Sequence, residues 1–128
     1  MKGDDIVWPF KEGTPIYLQM IEEMKLRIVR GEYPAGSQVP PVRELAMEAG
    51  VNPNTVQRAY AQLESEGMLK SDRTRGRFVT EEKSVLNELR KNMSSRYVAE
   101  MIKGMKELGM SSEEILEAVQ EQIKEAGK

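Results

Sequence analysis

The residues best suited to recognition chemistry lie close together in VNPNTVQRAYAQL, Val51 to Leu63. Asn54, Thr55, Gln57 and Arg58 bring two amides, a hydroxyl and a guanidinium into one short segment, with the small methyl of Ala61 beyond them. Amides pair with adenine edges, Arg with guanine, and small methyl groups with the methyl of thymine. A second cluster runs from Lys70 to Arg77, where four bases (Lys70, Arg73, Arg75, Arg77) stand against one acid, Asp72. A local basic patch decides phosphate contact more than whole-chain charge does.

Other chemistries are poorly supplied. The 128 residues include no Cys and no His, which removes thiolate chemistry, the commonest general base and the commonest metal ligand. An enzyme would depend on carboxylates, Lys or Tyr, with Glu113 and Glu114 as a candidate pair. Neighbours on a helix diverge by about 100°, however, and a capping box gives Glu114 a simpler role. The expectation is therefore a non-enzyme with no cofactor and no metal. No apolar run approaches the ~20 residues of a spanning helix, and the start, MKGDDIVWPF, lacks a signal-peptide core. A cytoplasmic protein without a membrane partner is expected. Net charge is −2: residues 1–80 hold 11 Lys/Arg and 11 Asp/Glu, residues 81–128 hold 8 and 10, so the excess acid is C-terminal.

These clusters need elements to position them. After an arm with Trp8 and Phe10, Thr14-Pro15 reads as an N-cap followed by Pro at the first helical position. Tyr17, Met20, Ile21, Met24 and Ile28 then form the apolar stripe of a helix to about Arg30. Glu32 to Gly36 reads as a loop. A second helix spans roughly Pro41 to Ala49, with Val42, Leu45, Ala46 and Ala49 inward and Gly50 just past its end. Asn52 caps a third helix, Pro53 opens it, and Gly67 stops it after about Glu66.

Met68–Ser71 and Arg77–Thr80 read as two strands, with Asp72 to Gly76 as the hairpin tip. A long helix from about Glu82 carries Leu86, Leu89, Met93, Tyr97, Met101, Met105 and Leu108, and ends at Gly109. A capping box at Ser111–Glu114 opens a last helix with Ile115, Leu116, Val119 and Ile123. The fold class is mainly α with a small β-hairpin.

Helices two and three meet across Gly50, with a small residue, Ala46, before the turn and a β-branched one, Val56, after it. The helices approach closely at Ala46 and Val56, and Gly50 takes a conformation that a Cβ would penalise. This is the helix-turn-helix pattern. With Val56, Ala59, Tyr60 and Leu63 inward, Asn54, Arg58 and Ala61 point away from the core, and Thr55 and Gln57 flank them. No acid interrupts this face before Glu64. In the hairpin, Arg75-Gly76-Arg77 can bring backbone close to phosphate, completing a winged helix.

Residues about 14–80 resemble the winged-helix domain of GntR-type bacterial transcription regulators. The stretches that carry the resemblance are GEYPAGSQVPPVRELAMEAGVNPNTVQRAYAQLESEGML and RGRFV. VNPNTVQRAY with only about 48 further residues resembles the YtrA-type subfamily, whose short C-terminal helices dimerise. The resemblance implies that Arg43, Asn54, Thr55, Gln57 and Arg58 face DNA and that Gly76 is the wing-tip glycine. It also implies control of a nearby operon, often one encoding a transporter. Departures are Pro41 in place of a capping Ser, Pro53 where many members have a base-reading Arg, and Thr74 where a second wing Gly often stands.

The resulting expectation is a winged helix-turn-helix domain over 1–80, with an arm at 1–13, and a helical dimerisation region over 81–128. Double-stranded operator DNA would contact Arg43, Asn52, Asn54, Thr55, Gln57, Arg58, Arg73, Arg75, Gly76 and Arg77. Residues 81–128 are too short to enclose a pocket of the usual ~300 Å³. Their Met-rich stripe predicts pairing with a second copy through Leu86, Leu89, Met93, Tyr97, Met101, Met105, Leu108, Ile115 and Val119. A twofold homodimer predicts a palindromic operator, and repression is the expected outcome. A winged helix docking a protein partner is the alternative, and any small-molecule effector is left unspecified.

Overall fold

Helix periodicity, breakers and turn chemistry place the elements close to where the sequence pattern puts them. In the computed structural model, which describes residues 8–127, the order is α1 (Ile16–Val29), α2 (Val42–Ala49), α3 (Pro53–Ser65), β1 (Leu69–Asp72), β2 (Gly76–Val79), α4 (Lys83–Glu107) and α5 (Ser112–Ala126). The fold is mainly α with one antiparallel hairpin. Two compact units divide the chain, one running to Leu89 and one from Arg90. Among the described residues no helix is long and apolar enough to cross a membrane.

The first unit is built on three helices that share one core. α1 buries Met20, Ile21, Met24 and Ile28, α2 buries Leu45 and Ala46, and α3 buries Val56, Ala59, Tyr60 and Leu63. Burying each large apolar side chain contributes about 1.5–3 kcal/mol before entropy is counted. The Tyr60 hydroxyl keeps its hydrogen bond inside this core by donating to the Pro40 carbonyl at 2.7 Å. Burial pushes that phenol well above its ordinary range.

Two expectations for α1 need correction. Thr14 is not its cap: Pro15 holds the N-cap position, with no side-chain capping bond. Gln19 does related work instead, donating to the Lys11 and Thr14 carbonyls and accepting from the Lys11 N–H, each at 2.8 Å. Tyr17 is only half-buried, so it belongs to the edge of the stripe and not to the core.

The helix-turn-helix forms as expected. Gly50 has φ 70° and ψ 38°, the left-handed conformation. Nothing lies within 4 Å of where its Cβ would be, so the need for glycine here is purely conformational. Ala46 and Val56 are buried on either side of the turn. The Ala46 carbonyl accepts the N–H groups of both Gly50 and Val51.

The expected loop ends at Gly36, and Gly36 to Val39, where no strand is expected, is extended. Its backbone runs beside β2: Gly36 N–H donates to Val79 O, Val79 N–H to Ser37 O, and Val39 N–H to Arg77 O, at 2.9–3.0 Å. A bridge pairs Gln38 with Phe78. β2 is therefore hydrogen-bonded on both edges, by β1 on one side and residues 36–39 on the other.

The arm is anchored from Trp8 onward; residues 1–7 of the expected arm lie outside the described residues. Trp8 is buried and stacks on Phe10 with ring centroids 5.7 Å apart. Its indole N–H donates to Glu48 of α2 at 3.0 Å, while Arg27 of α1 lies 4.3 Å from its ring centre. Arg27 also pairs with Glu48 at 3.2 Å and Glu23 at 3.0 Å, closing a small polar cluster over the indole.

Of the apolar residues expected to pair subunits, Leu86 and Leu89 fall in the first unit, half-buried and buried respectively. Among the described residues of the second unit only Met93 and Ile115 are buried. Met105 and Val119 are half-buried, while Tyr97, Met101 and Leu108 are exposed, as are Val98, Leu116 and Ile123. An apolar groove of about 770 Å³ runs along Met101, Met105, Val119 and Ile123. It is open to solvent and not an enclosed pocket. The Ser111–Glu114 capping box at the start of α5 is present in both directions.

Candidate nucleic-acid interface

α3 owes its start to two residues. Asn52 accepts the Asn54 N–H on its side-chain oxygen at 2.8 Å, and Pro53 supplies the first helical φ without leaving an orphan donor. Asn52 is thus first a cap, with only its amide N–H groups uncommitted. With one side buried in the core, Asn54, Gln57, Arg58 and Ala61 are exposed together and Thr55 is half-buried beside them. No carboxylate interrupts this face before Glu64, which borders it one heptad after Gln57.

The two flanks of α3 are held differently. On one, the Arg58 guanidinium lies 3.7 Å from the centre of the Tyr17 ring in α1. On the other, Glu64 accepts Arg77 Nε at 2.6 Å and the Ser71 hydroxyl at 2.6 Å, tying the helix to both wing strands. Partial burial pushes the Glu64 carboxyl up, but the Ser71 hydroxyl and the Arg77 guanidinium outweigh it and hold the group below its ordinary range.

The wing is a tight hairpin pairing Leu69 with Val79 and Asp72 with Gly76. Asp72 shapes its tip. One carboxylate oxygen accepts the Thr74 N–H and hydroxyl, each at 2.9 Å, and the Arg75 N–H at 3.3 Å. Those bonds, led by the Thr74 N–H, lower the Asp72 pKa. Thr74 is thereby accommodated where a second glycine often stands. Gly76 has φ 101°, and a Cβ there would lie 2.8 Å from Gln38 Nε2. That amide donates to the Arg75 carbonyl at 2.7 Å.

The cations are therefore not equivalent. Lys70 pairs with Glu82 at 3.6 Å and Arg77 with Glu64, so each already faces an acid. Arg73 and Arg75 make no ion pair among the described residues, and Arg75 lies over the Phe78 ring at 4.9 Å. Arg43 is exposed on α2, also without an ion pair. α2 starts behind Pro41 with no side-chain cap, as the missing Ser implies.

Four residues of this region escape a reading of sequence pattern: Tyr17, Gln38, Glu64 as a strap, and Trp8 as an anchor. Beside Gln38 there is one local signal, since Val39 precedes Pro40 and the residue before proline favours extended backbone. The others act through partners distant in sequence.

The chain is similar in sequence and fold to known proteins. Residues 16–79 match the family described as bacterial regulatory proteins, gntR family. The HTH-type transcriptional repressor YtrA of Bacillus subtilis is 36% identical over 87% of this chain and 86% of its own length. A solved GntR family transcriptional regulator from Listeria monocytogenes superposes with a TM-score of 0.81, at 36% identity over 88% of this chain and 98% of that one. The DNA-binding domain of AraR, solved in complex with operator ORX1, aligns at TM-score 0.53 and 32% identity over 59% of this chain and 95% of its own. The chain belongs to the GntR family of DNA-binding bacterial transcription regulators, in its YtrA-type branch.

Proposed function

We propose that the protein is a homodimeric repressor that binds a palindromic operator in the cytoplasm. The observation that carries the reading is the exposed face of α3, where Asn54, Gln57, Arg58 and Ala61 sit together and the adjoining Glu64 carboxylate is already bonded to Arg77 and Ser71. That face enters the major groove, where its amides and guanidinium meet base edges. Thr55 and the free N–H groups of Asn52 act at its margin. Arg43, Arg73, Arg75 and the Gly76 backbone hold phosphates or the adjacent minor groove. Arg77 contributes mainly by fixing the wing, because Glu64 already offsets its charge.

Residues 1–80 carry DNA binding in this reading, and residues 81–128 carry dimerisation. Support for pairing comes from exposed apolar side chains: Tyr97 of α4 at 59%, Leu108 just past its end at 77%, and Leu116 and Ile123 of α5 at 63% and 65%. A second copy would cover them. A twofold pair would hold its recognition helices about 34 Å apart, one DNA turn, or at a related spacing. The name of the Bacillus relative, a repressor, supports the direction of control. Footprinting on DNA upstream of the protein's own gene tests this reading. Two protected half-sites related by inverted symmetry are expected, and an unprotected region that stays so at low salt contradicts it.

A further inference from the structure

We propose that Tyr17 is a positioning residue for DNA recognition, holding the Arg58 guanidinium flat at the flank of α3. The inference rests on the DNA-binding reading above and adds to it a residue outside the recognition helix. The guanidinium carbon lies 3.7 Å from the ring centre, within the ~6 Å range of a cation–π contact. No carboxylate forms an ion pair with Arg58 among the described residues, so the ring is the partner that orients it.

The platform is itself fixed. Tyr17 stands in the first turn of α1, and Gln19, two residues on, pins the incoming chain with three hydrogen bonds of 2.8 Å. Met20, Ile21 and Met24 bury the same helix in the shared core. Lys25 adds a tie to the end of α3 through Glu66 at 3.0 Å.

A free arginine on a helix surface samples many rotamers, and ordering it on binding opposes affinity. Stacking takes up one face of the guanidinium and leaves its N–H edge free for paired acceptors on DNA. Those acceptors are either the O6 and N7 of guanine or the oxygens of a phosphate. Tyr17 thus prepays part of the ordering without touching DNA.

The test uses the full-length protein, two readouts and four variants. In the free protein, NMR should show the Arg58 side-chain protons shifted upfield by the ring current, with the shift kept in Tyr17→Phe and lost in Tyr17→Leu. In operator binding, Tyr17→Leu should weaken affinity about two- to fivefold while Tyr17→Phe stays near wild type. In an Arg58→Ala background the Tyr17→Leu effect should vanish. A guanine contact shows as relaxed preference at one base pair in Arg58→Ala; a phosphate contact shows as uniform weakening and a salt slope lower by about one.

Equal losses from Tyr17→Leu with and without Arg58 would overturn the proposal, because Tyr17 would then act through helix packing alone. Absence of the ring-current shift would overturn it too. A wild-type protein that shows the shift but binds no operator would instead sink the DNA-binding reading, leaving the stack a surface contact without a positioning role.

Discussion

Arg77 of β2 is bound to Glu64 of α3 through a 2.6 Å hydrogen bond from its Nε, with side-chain exposures of 21% and 28%. The wing's most enclosed cation is therefore part of the scaffold. Substituting Arg77→Ala leaves Glu64 with Ser71 alone and should destabilise the first unit by about 1–2 kcal/mol, measured by urea denaturation. Its effect on the salt dependence of DNA binding should be smaller than that of Arg75→Ala, which should flatten the slope by about one. Equal slopes for the two variants would contradict this division of labour.

The same pair predicts a pH dependence. A carboxyl whose folded pKa is depressed stabilises the fold fully above its unfolded value, about 4.3 for Glu, and loses that contribution as pH falls through the folded value. Glu64 is held low against the opposing effect of burial by Ser71 and Arg77. Stability should therefore decline below about pH 4.3, and Glu64→Gln should be less stable at pH 7 with a shallower acid decline. Denaturation midpoints at pH 7, 5 and 3.5 check the sign.

Gly50 offers a test of the turn. Its φ of 70° disfavours any Cβ although no neighbour obstructs one. Gly50→Ala should cost about 1–2 kcal/mol and Gly50→Asn less, since Asn visits the left-handed region more readily. Thermal melts should rank wild type, Asn and Ala in that order.

Trp8 anchors the arm to α1 and α2, with its indole N–H on Glu48 and Arg27 over its ring. Trp8→Ala should cost about 3 kcal/mol, and the salt slope of DNA binding should stay unchanged. A changed slope would place the arm on the DNA.

The exposed side chains of α5 should govern assembly. Leu116→Glu and Ile123→Glu add charge to exposed apolar positions and should shift sedimentation towards monomer with little loss of helicity. A wild-type monomer at micromolar concentration would overturn the dimer.

Much of the fold is legible in the sequence because helix signals are local. The stripe of α3, the Leu45–Ala46 centre of the α2 stripe (its expected ends Val42 and Ala49 are only half-buried), the Asn52 cap, Gly50 and the Ser111–Glu114 box depend on residues within a turn or two of each other. The outward direction of Asn54, Gln57 and Arg58 follows from the same periodicity. What escapes is pairwise and distant. Residues 36–39 become extended through hydrogen bonds to β2, about 40 residues on, which their loop-like composition conceals. Thr14 looks like a cap, but Gln19 engages its carbonyl and Pro15 takes the cap position. Arg77 reads as a phosphate ligand until Glu64 is found beside it, and Tyr17 reads as core until Arg58 is found on its ring. Charge counts along the chain show how many cations exist, not which are already paired.

Operator affinity measured against salt decides whether the exposed face of α3 reads DNA. Wild type should show a log–log slope of several units, and Gln57→Ala should weaken binding by about 1–3 kcal/mol at its cognate base pair with the slope unchanged. Affinity that ignores both salt and the Gln57 substitution would contradict the account and point to a protein partner on this face.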